Sequence, residues 1–589
     1  FVNGQRLEGE MDITPDDDIN IGAYKFRINQ PAEDIRKHNA IIAQNLVRTV
    51  DNGKITILND INFKLPSQEF VAIMGPSGCG KSTLLKALNG DFPASSGKVY
   101  IHNMELYHNY DYLKRMIGYV PQDDIVHKEL SVESSLYYAA KLRLSSDVSN
   151  EDIRQKIDEV LTNLNINDAD IRKRAVGDLS GGQRKRVSIA VELLTDPAIL
   201  FLDEPTSPLD PETIEDFLLC VKALAQKGTT ILMVTHKPND LDYVDKVIFL
   251  SKGGHLTYFG SKENYLEHFD AKNVIEVYAK NGTIEAGKIL AQKFKDSYPH
   301  SGLIDSPNEE PNRRRNESFF KQWFWLTARY FNIKTNDRVN TAILIAQAPI
   351  IAGLLALIFA EVELSVLFFT AISAIWFGTN NAAKEIVGEL PIYRRERMFN
   401  LRILPYVLSK IVVLTFFSAL QVMLFIGIIY LLIGNDAVQI NNYWGYVGIM
   451  LYLAFSASLM GLLVSALLTN TEKVMSVIPI VLIPQIILAG VITTLTEGSA
   501  GEYMSYAMFS RWGTEGFAFV QDSIRSYTIV NPLEPECLDY RTVDAVDFIN
   551  LPNSIGLNKE LSRNMWAISA INLLLLLALL FTLKRKDSV

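Results

Sequence analysis

The sequence has too few cysteines for a disulfide-stabilised fold. Its 589 residues include only Cys79, Cys220 and Cys537. Three cysteines make no disulfide framework. Cys79 and Cys220 lie in the charged first half of the chain, and we expect both to be reduced thiols in a cytoplasmic domain.

The sequence also lacks the excess of positive charge that is typical of nucleic-acid-binding proteins. The chain has 57 Lys and Arg residues against 66 Asp and Glu residues, and its formal net charge at pH 7 is −9. This balance argues against nucleic acid as a partner of the whole chain. The first residue is Phe1 rather than methionine, and we expect the sequence to be a piece whose N-terminal part is missing.

Charge is scarce in the second half of the chain, where the apolar residues are concentrated. A length of 589 residues predicts more than one domain, and a hydrophobic fraction of 48% with a mean hydropathy of +0.11 favours a membrane protein. We predict six membrane-spanning helices, because each long apolar run is close to the length that a bilayer requires. The predicted spans are 339–360, 362–380, 406–433, 445–468, 474–494 and 565–583.

Lysine and arginine residues lie on one side of these predicted spans. Arg394, Arg395 and Arg397 fall between spans two and three, and residues 584–586 follow span six. The positive-inside rule therefore places both chain termini and the charged first half in the cytoplasm. Residues 495–564 are expected to form a long segment on the outer side.

The predicted spans carry almost no ionisable residues, which argues against coupling to an ion gradient. Their main interior polar residues are Gln347, Gln421, Gln485 and Asn572. These amides could line a cavity or form hydrogen bonds between helices, and the sequence leaves both alternatives open.

A glycine-rich stretch in the first half fits the pattern G-x-x-x-x-G-K-[ST] of a phosphate-binding loop. The apolar run 70–74 before it predicts a buried strand, and the run after it predicts a helix. Backbone N–H groups of such a loop and the positive end of the helix attract phosphate oxygens. Lys81 would reach the β- and γ-phosphates, and the Ser82 hydroxyl would bind Mg²⁺. The predicted loop comprises Gly75, Pro76, Ser77, Gly78, Cys79, Gly80, Lys81, Ser82 and Thr83.

Four further motifs follow, and three of them stand at or just after the ends of apolar runs that predict strands. Gln122 follows the first run, Asp203 and Glu204 end the second, and His236 ends the third. The carboxyl ends of parallel strands are where α/β proteins bind ligands. The fourth motif, residues 179–186, reads LSGGQRKR and opens an amphipathic helix.

Together these motifs resemble the nucleotide-binding domain of ABC transporters, in which LSGGQ is the signature. The resemblance implies a site for ATP and Mg²⁺ in which Asp203, Ser82 and Gln122 surround the metal. Glu204 would be the general base that polarises the attacking water, and His236 would contact the γ-phosphate. The two adjacent carboxylates would thus divide their work between metal and water.

The same resemblance implies that a complete ATP site needs two chains. Ser180 and Gly182 would contact the γ-phosphate of ATP bound to the partner chain, and Asp210 would couple the two sites. The family usually has an aromatic residue that stacks on adenine, and Arg48 stands at the corresponding position here. Because a guanidinium can stack on a π face, we predict that Arg48 contacts the adenine.

The first 30 residues contain an Asn-Gly turn at Asn3 and an alternating, strand-like run at 19–28. They resemble the C-terminal strands of a forkhead-associated (FHA) domain, a family that binds phosphothreonine peptides. The residues that hold the phosphate in that family would lie upstream of Phe1. We therefore expect phosphothreonine binding only if that missing part is present, and an unrelated β-hairpin is the alternative.

Residues 41–589 resemble the G subfamily of ABC transporters, in which the nucleotide-binding domain precedes six spans. The stretches 389–397 and 511–516 carry this resemblance in the membrane part. The predicted fold class is an α/β P-loop ATPase domain followed by an all-α six-helix transmembrane domain, with a short β remnant at the N-terminus. The predicted domains are an FHA remnant at 1–30, a nucleotide-binding domain at 31–300, a linker with an interfacial helix at 301–338 and a transmembrane domain at 339–589.

The function implied by this resemblance is ATP-driven export of a hydrophobic or amphipathic substrate by a homodimer of half-transporters. The expected location is the inner membrane of a bacterial cell, with the lipid bilayer and the substrate as further partners. One alternative is an ATP-driven mechanotransmitter that moves no substrate through its spans, and another is a signalling protein whose FHA part is the output. A large outer domain would favour the mechanotransmitter, and the segment 495–564 is of modest size.

Overall fold

The computed structural model describes residues 39–297 and 318–587, except 52, 145–147, 167, 208, 210, 400, 434–437, 493–494, 530–537, 550 and 557. Before residue 39 it describes Thr14, Ile28 and three short strands. The chain forms two compact units, Phe1–Glu317 and Ser318–Val589. Asn3, Asp210 and Cys537 lie outside the described residues.

The first unit contains both strands and helices. Its strands are β1 (Ile19–Ile21), β2 (Tyr24–Phe26), β3 (Glu33–Asp34), β4 (Asn39–Val50), β5 (Ile55–Pro66), β6 (Phe70–Met74), β7 (Ser96–Ile101), β8 (Met104–Glu105), β9 (Ile117–Val120), β10 (Ile199–Asp203), β11 (Thr230–Val234), β12 (Lys246–Ser251) and β13 (His255–Ser261). Its helices are α1 (Lys81–Asn89), α2 (Tyr110–Leu113), α3 (Val132–Arg143), α4 (Asn150–Asn163), α5 (Ala169–Lys173), α6 (Gly181–Leu193), α7 (Pro211–Gln226), α8 (Tyr265–His268), α9 (Val274–Lys280) and α10 (Ile284–Ser297).

One ten-stranded sheet organises this unit. Its strand order is β8-β7-β4-β5-β13-β12-β6-β11-β10-β9, and the neighbours from β12 to β9 all pair in parallel. Strands β6, β10 and β11 are buried at every position, as expected for a parallel sheet that is covered on both faces. Alternate residues serve different faces: Leu202 and Met233 belong to one hydrophobic core, and Phe201 and Leu232 to another. The predicted α/β class of this unit is confirmed.

The run 19–28 forms two short antiparallel strands, as its alternation predicts. Ile19 pairs with Phe26 and Ile21 with Tyr24, and β3 adds a third strand on the other side of β2. The FHA resemblance itself stays a prediction.

The second unit is helical, with one β-hairpin that the sequence analysis did not predict. Strands β14 (Ser523–Ile529) and β15 (Leu538–Asp544) pair antiparallel within the predicted outer segment. The helices are α11 (Phe319–Asn336), α12 (Arg338–Ile358), α13 (Leu364–Ala382), α14 (Leu390–Met398), α15 (Ile403–Leu432), α16 (Tyr443–Leu467), α17 (Thr471–Ile487), α18 (Ala500–Ser505), α19 (Phe509–Gln521), α20 (Ala545–Phe548) and α21 (Leu561–Asp587).

Four helices in the described part of the chain are long and apolar enough to cross a membrane, judged by length and composition: α12, α15, α16 and α21. The predicted second and fifth spans coincide with α13 and α17, which contain 19 and 17 residues. The count of six spans therefore stays a prediction, although each predicted span coincides with a helix.

Amide side chains connect several of these apolar helices. Asn381 on α13 donates a 2.6 Å hydrogen bond to Gln421 on α15, and Gln421 donates to the Leu344 carbonyl on α12 at 2.6 Å. Gln485 on α17 accepts a 3.1 Å bond from the Ser510 amide. The helix-to-helix role that the sequence left open thus applies to Gln421 and Gln485.

Helix α11 carries polar residues on its buried face and aromatic residues on its exposed face, the reverse of a helix in a water-soluble domain. Its buried face carries Gln322, Arg329 and Tyr330 beside the apolar Leu326, whereas Phe320 and Phe324 are 72% and 58% exposed. The helix packs on α15 within the second unit. An apolar outer face over a polar inner face suits a helix at a lipid interface.

A charged cluster lies under α11. Arg329 donates to both oxygens of Glu396 on α14, one of the bonds being 2.8 Å, and lies 3.8 Å from Glu389. Lys410 on α15 pairs with Glu389, and its ammonium lies 3.8 Å from the centre of the Tyr330 ring. A second pair at the same place joins Lys334 to Glu385, which also accepts from the Tyr330 hydroxyl. The cluster contains three cations and three carboxylates, so each buried charge has a partner of opposite sign.

In the predicted outer segment, Glu502 is enclosed by hydrogen-bond donors. Its carboxylate accepts bonds from the Ser554 amide at 2.7 Å, the Gly498 amide at 2.8 Å and the Tyr506 hydroxyl at 2.6 Å, and the Ser554 hydroxyl also donates. Burial alone would raise the pKa of Glu502, but the bonds from Ser554, Tyr506 and Gly498 lower it to about 2. Glu502 therefore ties α18 to the chain just before α21.

This arrangement predicts an acid-dependent loss of stability. A lowered pKa in the folded state gives a stabilisation that is present above the ordinary value of 4.5 and is lost as the pH falls towards 2. Glu502→Gln should lower the melting temperature at pH 7, and its difference from wild type should shrink as the pH falls from 5 to 3. The exposed Glu497→Gln serves as the control. A pH-independent difference between wild type and Glu502→Gln in thermal unfolding would contradict the assignment.

Candidate nucleotide site

The predicted phosphate loop lies between β6 and α1, as its flanking sequence predicts. Gly75, Gly78 and Gly80 all have positive φ values, of 146°, 75° and 97°, which side-chain-bearing residues rarely adopt. A Cβ atom on Gly75 would lie 2.2 Å from the Leu250 carbonyl oxygen. The glycines therefore let the loop curl against β12 and present its backbone N–H groups to a ligand.

Two polar side chains of this loop have defined contacts. The Lys81 ammonium donates to the carbonyl oxygens of Gly75 and Pro76 at 2.9 and 3.0 Å, so it closes over the loop. The Ser82 hydroxyl donates to the Asp203 carboxylate at the end of β10, at 2.9 Å. The structure therefore brings together two of the three residues that the sequence assigns to Mg²⁺. The third, Gln122, has its side-chain amide on Glu204 instead.

The carboxylates at the end of β10 differ in environment. Asp203 is buried, and burial raises its pKa, against the hydrogen bond from Ser82. Glu204 is half-buried and has a φ of +46°, a conformation that costs a non-glycine residue about 1 kcal/mol or more. The two adjacent carboxylates have different partners, since Asp203 accepts from Ser82 and Glu204 accepts from Gln122.

The Glu204 carboxylate lies close to both of the other predicted catalytic residues. Its Oε2 atom accepts a 3.3 Å hydrogen bond from the Gln122 amide and lies 3.6 Å from Nδ1 of His236. The three residues come from the loops after β9, β10 and β11, which are neighbours in the sheet. The expectation that these strands deliver polar groups to one edge is met at Gln122, Glu204 and His236.

The signature opens α6. Ser180 caps the helix by accepting from the Gln183 amide at 3.3 Å, and the Gln183 side chain accepts from the Ser180 amide at 3.2 Å. Gly182 has no room for a side chain, since a Cβ atom would lie 2.5 Å from the Thr213 methyl group. The Ser180 residue is exposed, which leaves the positive helix end open to an approaching anion.

Arg48 and Cys79 are less exposed to solvent than Ser180. The Arg48 guanidinium lies 3.5 Å from the centre of the Phe92 ring and donates to the Pro93 carbonyl at 2.6 Å. One face of Arg48 is thus already stacked, and contact with adenine stays a prediction. Cys79 is 1% exposed and burial raises the pKa of its thiol, the environment of an unreactive structural cysteine.

Sequence reasoning missed Asp240, which joins the loops that carry Glu204 and His236. Its buried carboxylate accepts from the hydroxyls of Thr206 at 2.9 Å and Thr235 at 2.5 Å. Thr206 stands two residues after Glu204, and Thr235 directly precedes His236. The sequence shows a threonine close to each motif. Only the fold shows that the hydroxyls of both threonines reach the same carboxylate.

The residues present fit Mg²⁺ bound together with a nucleotide. Mg²⁺ prefers oxygen ligands and usually binds through one or two protein side chains plus water and phosphate oxygens. Ser82 and Asp203 supply that pair of oxygens. Among the described residues, no group of three or more His, Cys, Asp or Glu side chains could hold a metal ion alone, so the phosphates would have to complete the coordination.

The fold and this site define a P-loop ATPase domain joined to a helical membrane-type unit. Residues 58–207 match the ABC transporter family model, and residues 321–521 match the ABC-2 type transporter model. The chain therefore joins an ABC ATPase domain to an ABC-2 type membrane domain, in that order. The expected resemblance to ABC transporters, and to their G subfamily, is confirmed.

Individual relatives match different lengths of this chain. The ABC transporter ATP-binding/permease protein Rv1747 of Mycobacterium tuberculosis is 28% identical over 91% of this chain and 64% of its own length. ABC transporter G family member 14 of Arabidopsis thaliana is 38% identical over 37% of this chain and 34% of its own length. The chain thus spans less than two thirds of the length of these relatives. A solved dimer of the ATP-binding cassette MJ0796 with ADP and Pi is 29% identical over 38% of this chain and 98% of that one, with a TM-score of 0.35.

Two glycines of the loop give a matched test of its geometry. Gly75→Ala would force a Cβ atom against the Leu250 carbonyl, whereas Gly78→Ala meets nothing within 4 Å and adds only backbone strain. We expect Gly78→Ala to cost about 1–2 kcal/mol and Gly75→Ala to cost more and to weaken ATP binding. Thermal unfolding with and without ATP measures both effects. Equal stability of the two variants would contradict the close approach at Gly75.

Proposed function

We propose that this protein is an ATP-hydrolysing exporter of a hydrophobic or amphipathic substrate and that it works as a dimer of half-transporters. The observation that carries the proposal is the position of Glu204. Its carboxylate lies within 3.3 to 3.6 Å of Gln122 and His236, beside the Ser82–Asp203 pair. The matches to ABC transporter models and the apolar helices of the second unit support transport rather than a soluble ATPase role.

The chemistry asked of these residues is mostly positioning and charge neutralisation, because phosphoryl transfer needs little covalent work from the protein. Lys81 and the loop amides would hold the β- and γ-phosphates. Mg²⁺, held by Ser82 and Asp203, would neutralise phosphate charge when bound. Glu204 would polarise the attacking water, with Gln122 orienting that water.

The composite arrangement requires a second chain. The described chain presents one phosphate loop and one exposed signature, and the signature of one chain would complete the ATP site of its partner. The simplest assembly is a homodimer with twofold symmetry. ATP would hold the two ATPase domains together, and hydrolysis would release them, which gives the membrane helices two alternating arrangements. We place the dimer in a bacterial inner membrane, with its ATPase domains in the cytoplasm.

Glu204→Gln tests the assigned base. The metal ligands Ser82 and Asp203 are untouched, so ATP binding should persist while turnover falls by about 10²–10⁴-fold. ATPase activity and ATP affinity of the purified protein are the measurements. Glu159→Gln makes the same change at an exposed ion pair on α4 and should hydrolyse ATP normally. Wild-type turnover in Glu204→Gln would remove Glu204 from this role.

The proposed substrate class follows from the surfaces of the membrane-type helices. They expose apolar side chains such as Ile343, Ile350, Trp376 and Ile480, which offer dispersion contacts but no partner for a desolvated ion. A bare charge at such a surface would cost several kcal/mol. We therefore propose a lipid, a lipid-linked glycan or another amphipath whose polar part stays near a membrane interface.

Stimulation of ATPase activity in nanodiscs tests this class, because a substrate that favours one state of the cycle shifts its rate. Lipid extracts should stimulate the wild type, and sugars, amino acids and metal ions should not. Glu204→Gln protein is the control for contaminating ATPases. Stimulation and vesicle transport of a small hydrophilic solute alone would contradict the amphipath class. ATPase activity that no lipid or amphipath changes would favour the mechanotransmitter.

A further inference from the structure

Lys185 is a lysine with no solvent exposure in the middle of the signature helix. It lies five residues after Ser180 on α6, and its side chain is 0% exposed. Its ammonium donates to the carbonyl oxygens of Pro121 and Gln122, both at 2.8 Å, and lies 3.6 Å from the Asp124 carboxylate. One buried charge is thus bound to the loop that carries Gln122.

The contacts of Lys185 are long-range. Its two carbonyl acceptors lie 64 and 63 residues away in the chain. Lys114, another buried lysine of this unit, instead pairs with Asp111 three residues away, and that carboxylate is exposed. A lysine with a purely local role would pair with a residue in its own turn, as Lys114 does. Lys185 instead joins α6 to the loop that follows β9.

Gln122 is consequently held at both ends. Its backbone carbonyl is bound by α6, and its side-chain amide is bound by Glu204 at 3.3 Å. If the Gln122 loop shifted on nucleotide binding and α6 did not, the buried Lys185 ammonium would lose its acceptors. A buried charge without partners is costly. The loop and α6 should therefore move together.

We propose that Lys185 is a positioning residue that couples the ATP site of its own chain to the signature of the same chain. This role rests on the proposed function, in which Ser180 and Gly182 act on ATP bound to the partner. Occupancy at one Gln122 loop then sets the position of the signature that completes the other ATP site, and the two sites of the dimer become cooperative through Lys185.

Steady-state kinetics of the full chain in nanodiscs test this coupling. Lys185→Met keeps an unbranched side chain, one heavy atom shorter, and removes all donors, and Lys185→Gln can still donate to a carbonyl. We expect Lys185→Met to bind ATP with an unchanged Kd, to lose about tenfold or more in kcat, and to shift the Hill coefficient for ATP towards 1. Lys185→Gln should fall between wild type and Lys185→Met, and Lys114→Met should match wild type in kcat and Hill coefficient.

Hydrogen exchange distinguishes coupling of the Gln122 loop to α6 from a general stabilisation of the fold by Lys185. In a Ser180→Arg background, where the partner's nucleotide cannot engage the signature, a non-hydrolysable ATP analogue should slow exchange in residues 117–126 and at the start of α6. Adding Lys185→Met should abolish the response of α6 and keep that of the phosphate loop. If Lys185→Met does not fold, Lys185→Gln carries the same comparison.

The outcomes distinguish the two proposals. An unchanged kcat and Hill coefficient in folded Lys185→Met, or an unchanged α6 response, overturns the coupling role while the ATPase assignment stands. Absence of nucleotide protection at residues 75–83 in the wild type overturns the proposed function and the coupling role with it.

Discussion

The parallel register of four neighbouring strands determines where the first loop glycine and three polar residues of the candidate nucleotide site lie. Ile73 pairs with Val234, Val234 with Asp203, and Val120 with Leu202. Two residues beyond Ile73, Val120, Leu202 and Val234 come Gly75, Gln122, Glu204 and His236. The loop glycine and the three polar residues therefore converge because their strands end together, and a slip of one strand by one residue would move its motif to the other face of the sheet.

Much of this site could be predicted because each motif is local. The phosphate loop, the signature cap at Ser180 and the carboxylates of β10 lie in short stretches whose residue types imply their own geometry. What the sequence could not supply is which distant loops touch. Asp240 binds Thr206 and Thr235, and Arg48 stacks on Phe92, only because the sheet order places these segments side by side. The β14–β15 hairpin was missed for a related reason: its two strands have polar, mixed compositions without a clear alternation.

Buried charges in this chain have two kinds of partner, backbone carbonyls and side chains of opposite charge. In the ATPase domain, Lys185 is satisfied by backbone carbonyls, which cannot be removed by mutation. Under α11, the charges are satisfied by one another, so the loss of one side chain leaves the cluster with an uncompensated charge. Losing one member of such a cluster costs several kcal/mol. The charged cluster is thus a region where single substitutions have large effects although no ligand is involved.

The inverted helix α11 also sets an order for the biogenesis of the second unit. Its cations, Arg329 and Lys334, leave the ribosome before the carboxylates of residues 385–396 have been made. Until those carboxylates arrive, the polar face of α11 has to stay hydrated and cannot dock, since an unpaired charge in a low-dielectric environment is expensive. Docking of α11 therefore follows synthesis of α14 and the start of α15, which supplies Lys410. A nascent chain that stops just before residue 385 would therefore hold α11 undocked, with its cations still in need of water.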